Sequence, residues 1–140
     1  MQILKIGSEA AAREFGRELA DRLKAGDIVA LSGDLGTGKT TLTQAIAQGL
    51  GVKEPVTSPT FAIIKEYHSG RLPLYHLDVY RISGPEDMYE LGYEEYFFGG
   101  GVCVVEWAEL IEELLPESAL RIHISYGSGE TDRLYRIETP

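Results

Sequence analysis

Two kinds of apolar pattern alternate along the chain. Continuous apolar runs at 28–31 and 102–105 are typical of strands buried on both faces of a parallel sheet. Apolar residues that recur every three or four positions predict helices over 8–26 and 42–50. The same spacing predicts a further helix over 110–115, directly before a proline.

A β-hairpin is predicted in the middle of the chain. Strand-like patterns at 62–67 and 72–81 flank the dipeptide Ser69-Gly70, which favours a turn. Alternate residues of the second strand are polar and share one face, so they either face water or line a site: His76, Asp78 and Tyr80.

The order of these patterns predicts an α/β fold. Further strands are expected at 2–6, 120–126 and 134–138, and a capping box at 83–86 predicts a short helix. We therefore expect a mostly parallel sheet flanked by helices on both faces, with the antiparallel β-hairpin inserted. The chain has 140 residues, of which 44% are hydrophobic, and this size suits a single domain over 1–140.

The connection between the first buried strand and the following helix fits the phosphate-binding pattern G-x-x-x-x-G-K-[ST]. Its residues are Gly33, Asp34, Leu35, Gly36, Thr37, Gly38, Lys39 and Thr40. Glycines let successive backbone N–H groups point at phosphate oxygens, and the helix that follows adds the positive end of its dipole. Lys39 is expected to reach the β- and γ-phosphates and Thr40 to bind Mg²⁺, so the sequence predicts a P-loop NTPase.

A phosphate loop needs a carboxylate at the end of a neighbouring strand to hold the metal ion. Glu106 follows four apolar residues and is the favoured Mg²⁺ ligand. Asp78 ends a less apolar run, and we expect it either to contact the metal through water or to position the attacking water. The segment 56–61 is either a switch loop that senses the γ-phosphate or an ordinary loop.

Composition limits the kinds of binding partner and the cellular compartment that we expect for this protein. The net charge of −9 argues against a direct grip on DNA or RNA, which needs a basic face. No signal peptide or membrane-spanning run is apparent, and the lone Cys103 forms no internal disulfide, so we expect a cytoplasmic protein. The chain contains no Asn, so it lacks the Asn-Lys-x-Asp loop that reads guanine, and ATP is the favoured nucleotide.

Four motifs together resemble the TsaE (YjeE) family, and they occur in the order Gly-Asp-Leu-Gly-Thr-Gly-Lys-Thr-Thr (33–41), Thr-Ser-Pro-Thr-Phe (57–61), His-Leu-Asp-Val-Tyr-Arg (76–81) and Val-Glu-Trp (105–107). The resemblance covers nearly the whole chain. It implies a small ATPase of bacterial tRNA threonylcarbamoyladenosine synthesis, which modifies N6 of adenosine 37. Family members dock on the TsaD–TsaB pair, meet tRNA through it, and hydrolyse ATP to reset the complex between transfer cycles.

The resemblance also implies roles for individual residues. Lys39 and the 33–41 backbone, including Thr41, hold phosphates, whereas Thr40 and Glu106 hold Mg²⁺. Asp78 is needed for hydrolysis, and 57–60 forms the switch-like loop, which adds Thr60 to the catalytic set. Trp107 either responds to nucleotide or partner, or simply packs in the core. Looser alignment places Glu9 and Glu130 near the adenine.

Two other functions fit the phosphate loop. A small-molecule kinase would need an acceptor pocket and usually an arginine-rich lid, but Arg71 and Arg81 are isolated in the sequence. A nucleotide-gated adaptor would bind ATP to switch a docking surface, with incidental hydrolysis. No arginine finger stands out beyond Arg81 and Arg133, so we expect weak activity that depends on a partner.

Overall fold

The computed structural model describes residues 1–59 and 63–140. In this part of the chain, seven strands form one sheet in the order β1-β7-β6-β2-β5-β4-β3. Their bounds are Gln2–Ile6 (β1), Ile28–Ser32 (β2), Ile64–Tyr67 (β3), Leu74–Asp78 (β4), Val102–Glu106 (β5), Leu120–Tyr126 (β6) and Arg133–Glu138 (β7).

The centre of the sheet is parallel and its edges are antiparallel. Strands β6, β2, β5 and β4 run in the same direction, whereas β7 and β1 close one edge and β3 closes the other. The predicted α/β fold with an inserted hairpin is therefore confirmed, with β3 and β4 as the hairpin. In the register of β4 and β5, Asp78 lies opposite Glu106, so both carboxylates stand at the carboxyl edge of the parallel strands.

Helices cover both faces of the sheet. Helices α1 (Glu9–Arg22) and α2 (Lys39–Leu50) bury their apolar residues in the core of one face. The opposite core is covered by α3 (Pro85–Leu91), α4 (Tyr93–Phe97) and a 3₁₀ helix (Ala108–Leu114). No described helix has the length and apolar character needed to cross a membrane.

Helices α1 and α2 cross at very short range because glycines lie at the crossing. A Cβ atom built on Gly16 would stand 2.5 Å from the Cβ of Ala45 and 3.2 Å from the backbone nitrogen of Ile46. On α2, a Cβ on Gly49 would likewise collide with Ala20. These two glycines allow α1 to pack tightly against the helix that begins at the phosphate loop.

Four details of the predicted elements were wrong. The helix predicted over 8–26 ends at Arg22, with Leu23 as its C-cap. The segment 110–115 does not form one regular amphipathic helix, because Ala108–Leu114 consists of two short 3₁₀ turns joined at a kink at Ile111, whose φ of −128° and ψ of 30° are not helical. The capping box at 83–86 does not form: α3 begins after Gly84, and the backbone N–H and hydroxyl of Ser83 donate to Asp87 instead. Strand β4 is shorter than predicted, since it ends at Asp78.

Charge is unevenly distributed between the two faces. Residues 82–120 contain ten Asp or Glu and no Lys or Arg, whereas the rest of the chain contains twelve acidic and thirteen basic residues. This segment supplies α3, α4 and the 3₁₀ helix, which share one face of the sheet. We call its exposed carboxylates the acidic layer: Glu86, Glu90, Glu94, Glu95, Glu109, Glu112, Glu113 and Glu117.

Candidate nucleotide-binding site

The predicted phosphate loop joins β2 to α2 at the carboxyl edge of the parallel strands. Gly36 and Gly38 have φ angles of 79° and 107°, which residues other than glycine rarely adopt. Within the described chain, the N–H groups of these two glycines have no protein acceptor. Free N–H groups beside the N-terminus of α2 are the donor arrangement that phosphate oxygens require, so the loop fits a phosphate chain.

The Lys39 side chain lies beneath this loop and is almost completely buried. Its Nζ donates to the carbonyl oxygens of Gly33 (2.6 Å) and Asp34 (2.8 Å). Burial lowers the pKa of Lys39, and the nearby carboxylates of Glu109 and Glu106 act in the opposite direction. The loop therefore holds a cation in a partly desolvated position, where its attraction for an anion is strengthened.

Trp107 forms the wall behind this lysine. Its ring centroid lies 4.0 Å from Lys39 Nζ, and the Tyr80 ring packs 4.6 Å from it at an angle of 37°. Trp107 is the one non-glycine residue with positive φ in the described ranges, at 61°. A left-handed tryptophan is strained, and such strain persists where surrounding contacts hold it.

Glu106 is buried at the end of β5 within a network of hydrogen bonds. Thr40 donates to its Oε1 at 2.9 Å. The Thr43 hydroxyl shares its one hydrogen between the Lys39 carbonyl oxygen at 2.9 Å and Oε2 of Glu106 at 3.3 Å. His76 is fully buried on β4, and its Nε2 lies 2.5 Å from the same Oε2. The network presents one carboxylate oxygen to the phosphate-loop threonine and ties the other to the core.

Asp78 occupies the neighbouring position on β4. Its Oδ1 accepts the backbone N–H of Tyr80 at 3.1 Å, and its Oδ2 accepts the Ser58 hydroxyl at 3.3 Å. The Ser58 and Thr40 hydroxyl oxygens are 3.4 Å apart, so the hydroxyls that contact Asp78 and Glu106 are neighbours. These groups open onto a cavity of about 550 Å³ that the phosphate loop, Trp107 and Arg81 also line.

The described residues include no cluster of three Asp, Glu, His or Cys side chains suited to a metal ion. The oxygens near the phosphate loop include the Thr40 hydroxyl and the Glu106 carboxylate, which are hydrogen-bonded to each other. A Mg²⁺ ion bound through one or two protein oxygens, with phosphates and waters completing its shell, is compatible with this donor set.

A second, smaller cavity lies on the other side of the phosphate loop. It has a volume of about 280 Å³, and Glu9, Thr41 and Glu130 are among the residues that line it. Arg133 is another, and its Nε donates to the Thr37 carbonyl at 3.1 Å. The structure thus places Glu9 and Glu130 together beside the loop, far along the sequence from each other.

The structure brings most of the predicted site residues to one edge of the sheet. The phosphate loop, Thr40, Asp78 and Glu106 surround the larger cavity, whereas Thr60 lies outside the described residues. Sequence reasoning did not assign a role to His76. The signal was present, because alternation placed His76 on the face of Asp78, but its partner Glu106 is thirty residues away.

The chain is similar to the members of one protein family. The family model for the threonylcarbamoyl adenosine biosynthesis protein TsaE matches residues 6–135. The tRNA threonylcarbamoyladenosine biosynthesis protein TsaE of Bacillus subtilis is 56% identical over 110 residues, which cover 79% of this chain and 68% of that protein. The protein of the same name from Treponema pallidum is 41% identical over 124 residues, covering 89% and 90% respectively.

A solved structure is also similar. The crystal structure of YdiB from Bacillus subtilis superposes with a TM-score of 0.79 and 43% sequence identity. The match covers 96% of this chain and 82% of that structure. The likeness therefore includes nearly all the strands and helices described above.

Proposed function

The chain belongs to the TsaE family of tRNA threonylcarbamoyladenosine biosynthesis proteins, and we propose that it serves this pathway by binding and hydrolysing Mg-ATP. The observation that carries the proposal is the convergence of Lys39, Thr40, Glu106 and Asp78 on one cavity beside the phosphate loop. This set contains a phosphate-binding cation, a hydroxyl and carboxylate for a metal ion, and a second carboxylate close by.

Phosphate binding is assigned to the loop and its lysine. The free N–H groups of Gly36 and Gly38 contact phosphate oxygens, and Lys39 exchanges its two carbonyl partners for the β- and γ-phosphates. Thr40 and Glu106 hold Mg²⁺, which neutralises charge on the phosphates when bound. Glu9 and Glu130, in the smaller cavity, are proposed to contact the adenine end of the nucleotide.

Asp78 is assigned to the water that attacks the γ-phosphate. The Tyr80 N–H and the Ser58 hydroxyl orient its carboxylate, one oxygen each. Phosphoryl transfer depends mainly on positioning and charge stabilisation, so an oriented carboxylate near the γ-phosphate suits this role. Thr60 is proposed to complete the switch-like loop that begins with Thr57 and includes Ser58.

A TsaD-like and a TsaB-like protein are the proposed partners. The larger cavity contains one arginine, Arg81, among the residues that the structure describes, and the smaller cavity contains Arg133. With little positive charge available for the transition state, turnover by the free protein is weak, and the partner pair completes the site or its geometry. The negative net charge favours contact with tRNA through these partners rather than directly, in the cytoplasm.

The test is phosphate release from Mg-ATP with and without the TsaD–TsaB pair. Lys39→Ala provides the blank, and Asp78→Asn should retain nucleotide but lose at least 10²-fold in stimulated turnover, on the order of what a positioned catalytic group contributes. Asp21→Asn, on the exposed surface of α1, is the matched control and should behave as the wild type.

Three results would contradict the proposal in different ways. Bound ATP without phosphate release, even with both partners, would favour a nucleotide-gated adaptor. Transfer of phosphate to a small acceptor would favour a kinase. Equal turnover by the free and assembled protein would remove the dependence on partners while leaving the ATPase activity in place.

A further inference from the structure

His76 is a buried side chain to which the proposed ATPase reaction assigns no role. It has no exposed surface, and its Nε2 lies 2.5 Å from Oε2 of Glu106. Its other ring nitrogen, Nδ1, is also buried and has no hydrogen-bond partner within the described part of the chain. A histidine in this setting makes one strong polar contact, and that contact is with the carboxylate assigned to Mg²⁺.

The unpaired Nδ1 indicates which ring nitrogen carries hydrogen. A proton on Nδ1 would be a buried donor without an acceptor, which is costly, whereas a bare Nδ1 leaves only an unused lone pair. The hydrogen-bond network therefore assigns a hydrogen to Nε2. In this form His76 donates to Glu106 and fixes the position of Oε2.

The geometry around Glu106 separates the tasks of its two oxygens. Oε2 accepts from His76 and Thr43, both of which lie in the core. Oε1 accepts from Thr40, the residue that follows the loop lysine. Rotation of the carboxylate would break both contacts to Oε2, so these donors keep Oε1 directed at Thr40.

We propose that His76 is the positioning residue of the cation site: it fixes Glu106 so that Oε1 and the Thr40 hydroxyl present their oxygens to Mg²⁺ together. This inference rests on the proposed function. It differs from a structural role for His76 in one measurable respect. Loss of a positioning donor weakens the binding of the metal, whereas loss of a core hydrogen bond weakens folding alone.

The experiment measures the affinity of a fluorescent ADP analogue in EDTA and across a Mg²⁺ titration. His76→Leu removes the donor and is expected to raise the Mg²⁺ concentration for half-maximal effect by about 10-fold or more. Affinity in EDTA should stay within about 2-fold of the wild type, because the hydrogen bond of His76 among the described residues goes to Glu106 and not to the phosphate loop. His76→Gln retains an N–H donor and should recover most of the Mg²⁺ response.

The matched control is Tyr67→Phe. Tyr67 is buried in the core of the α1–α2 face, and its hydroxyl has no partner among the described residues. This substitution removes a buried polar group away from Glu106, so the Mg²⁺ concentration for half-maximal effect should not change. An unchanged titration in His76→Leu, or an equal loss of affinity with and without Mg²⁺, would overturn the proposal.

A measurement on the unsubstituted protein covers the case in which His76→Leu does not fold. In ¹⁵N-histidine NMR spectra, His76 should carry hydrogen on Nε2 and not on Nδ1, and Mg²⁺ added to the ADP complex should shift the Nε2 resonance. Absence of that shift would refute the role of His76. Failure of Mg²⁺ to alter ADP affinity in the wild type would instead refute the metal site of the proposed function.

Discussion

Substitution of Gly16 by alanine tests the close crossing of α1 and α2. The new Cβ would lie 2.5 Å from the Ala45 Cβ, 3.1 Å from Leu42 Cδ1 and 3.2 Å from the Ile46 nitrogen. Carbon atoms in contact prefer about 3.5–4.0 Å, so the helices must separate by roughly 1 Å. Neither a Cβ nor a backbone nitrogen can rotate away, which leaves movement of a whole helix as the available response.

The magnitude follows from two opposing effects. Overpacking of a core costs about 1–3 kcal/mol, and alanine returns up to about 1 kcal/mol through its higher helix propensity. The rigidity of the neighbours favours the upper part of this range, so we expect a net loss of about 1–2 kcal/mol. For a chain of 140 residues, this corresponds to a fall in Tm of roughly 4–8 °C.

Equilibrium urea unfolding and calorimetry measure this change. Gly7→Ala is the matched control, because a Cβ at Gly7 would meet nothing within 4 Å, and its stability should change by less than about 0.5 kcal/mol. A Gly16→Ala protein as stable as the wild type would refute the reasoning, since the crossing would then have to be wider than described.

Three further predictions concern other parts of the molecule. Arg71 donates to the carbonyl oxygens of Ala20 and Leu23 at the end of α1. Arg71→Ala should therefore lower the free energy of unfolding in urea by about 1–2 kcal/mol, and the effect is modest because Arg71 is exposed. Burial raises the pKa of Cys103 from 9.0 to about 12. Its contribution to stability is therefore complete below pH 9 and is lost as pH rises towards 12, by up to ~1.4 kcal/mol per pH unit, and Cys103→Ala should reduce this slope. Trp107 is the one tryptophan of the chain, and Lys39 Nζ lies over its ring. Bound nucleotide should change the Trp107 fluorescence because Lys39 moves from the ring to the phosphates. The same fluorescence change in Lys39→Ala would contradict this cause.

The elements that sequence reasoning predicted well are those whose cause is local. The conformation of the phosphate loop is specified by its own residues. Its glycines adopt left-handed conformations, and the helix begins directly after them. The apolar run at 102–105 identifies a buried strand by itself, and the strand in the structure, Val102–Glu106, consists of this run and the carboxylate that follows it. Such features need no knowledge of distant residues.

The features that were missed depend on contacts between distant parts of the chain. His76 lies beside Glu106 because β4 pairs with β5, and this pairing joins residues thirty positions apart. The 3₁₀ helix is the exception, because its cause is local: apolar residues at three- and four-residue spacing suit both helix types over so short a length, and the pattern does not reveal the kink at Ile111. The pairing of β1 with β7 joins opposite ends of the chain, and no local pattern specifies it.

The acidic layer also has a consequence for how the molecule meets other molecules. Because its carboxylates lie on one side of the sheet while the remaining charge is nearly balanced, the protein is an electric dipole. In the electric field of a charged surface, a dipolar protein rotates before contact, so it approaches the surface in a preferred orientation. At an ionic strength of 0.1 M this orienting torque extends over about 10 Å, and added salt shortens that reach. We therefore expect salt to slow the association of this protein with a basic surface much more than it speeds dissociation.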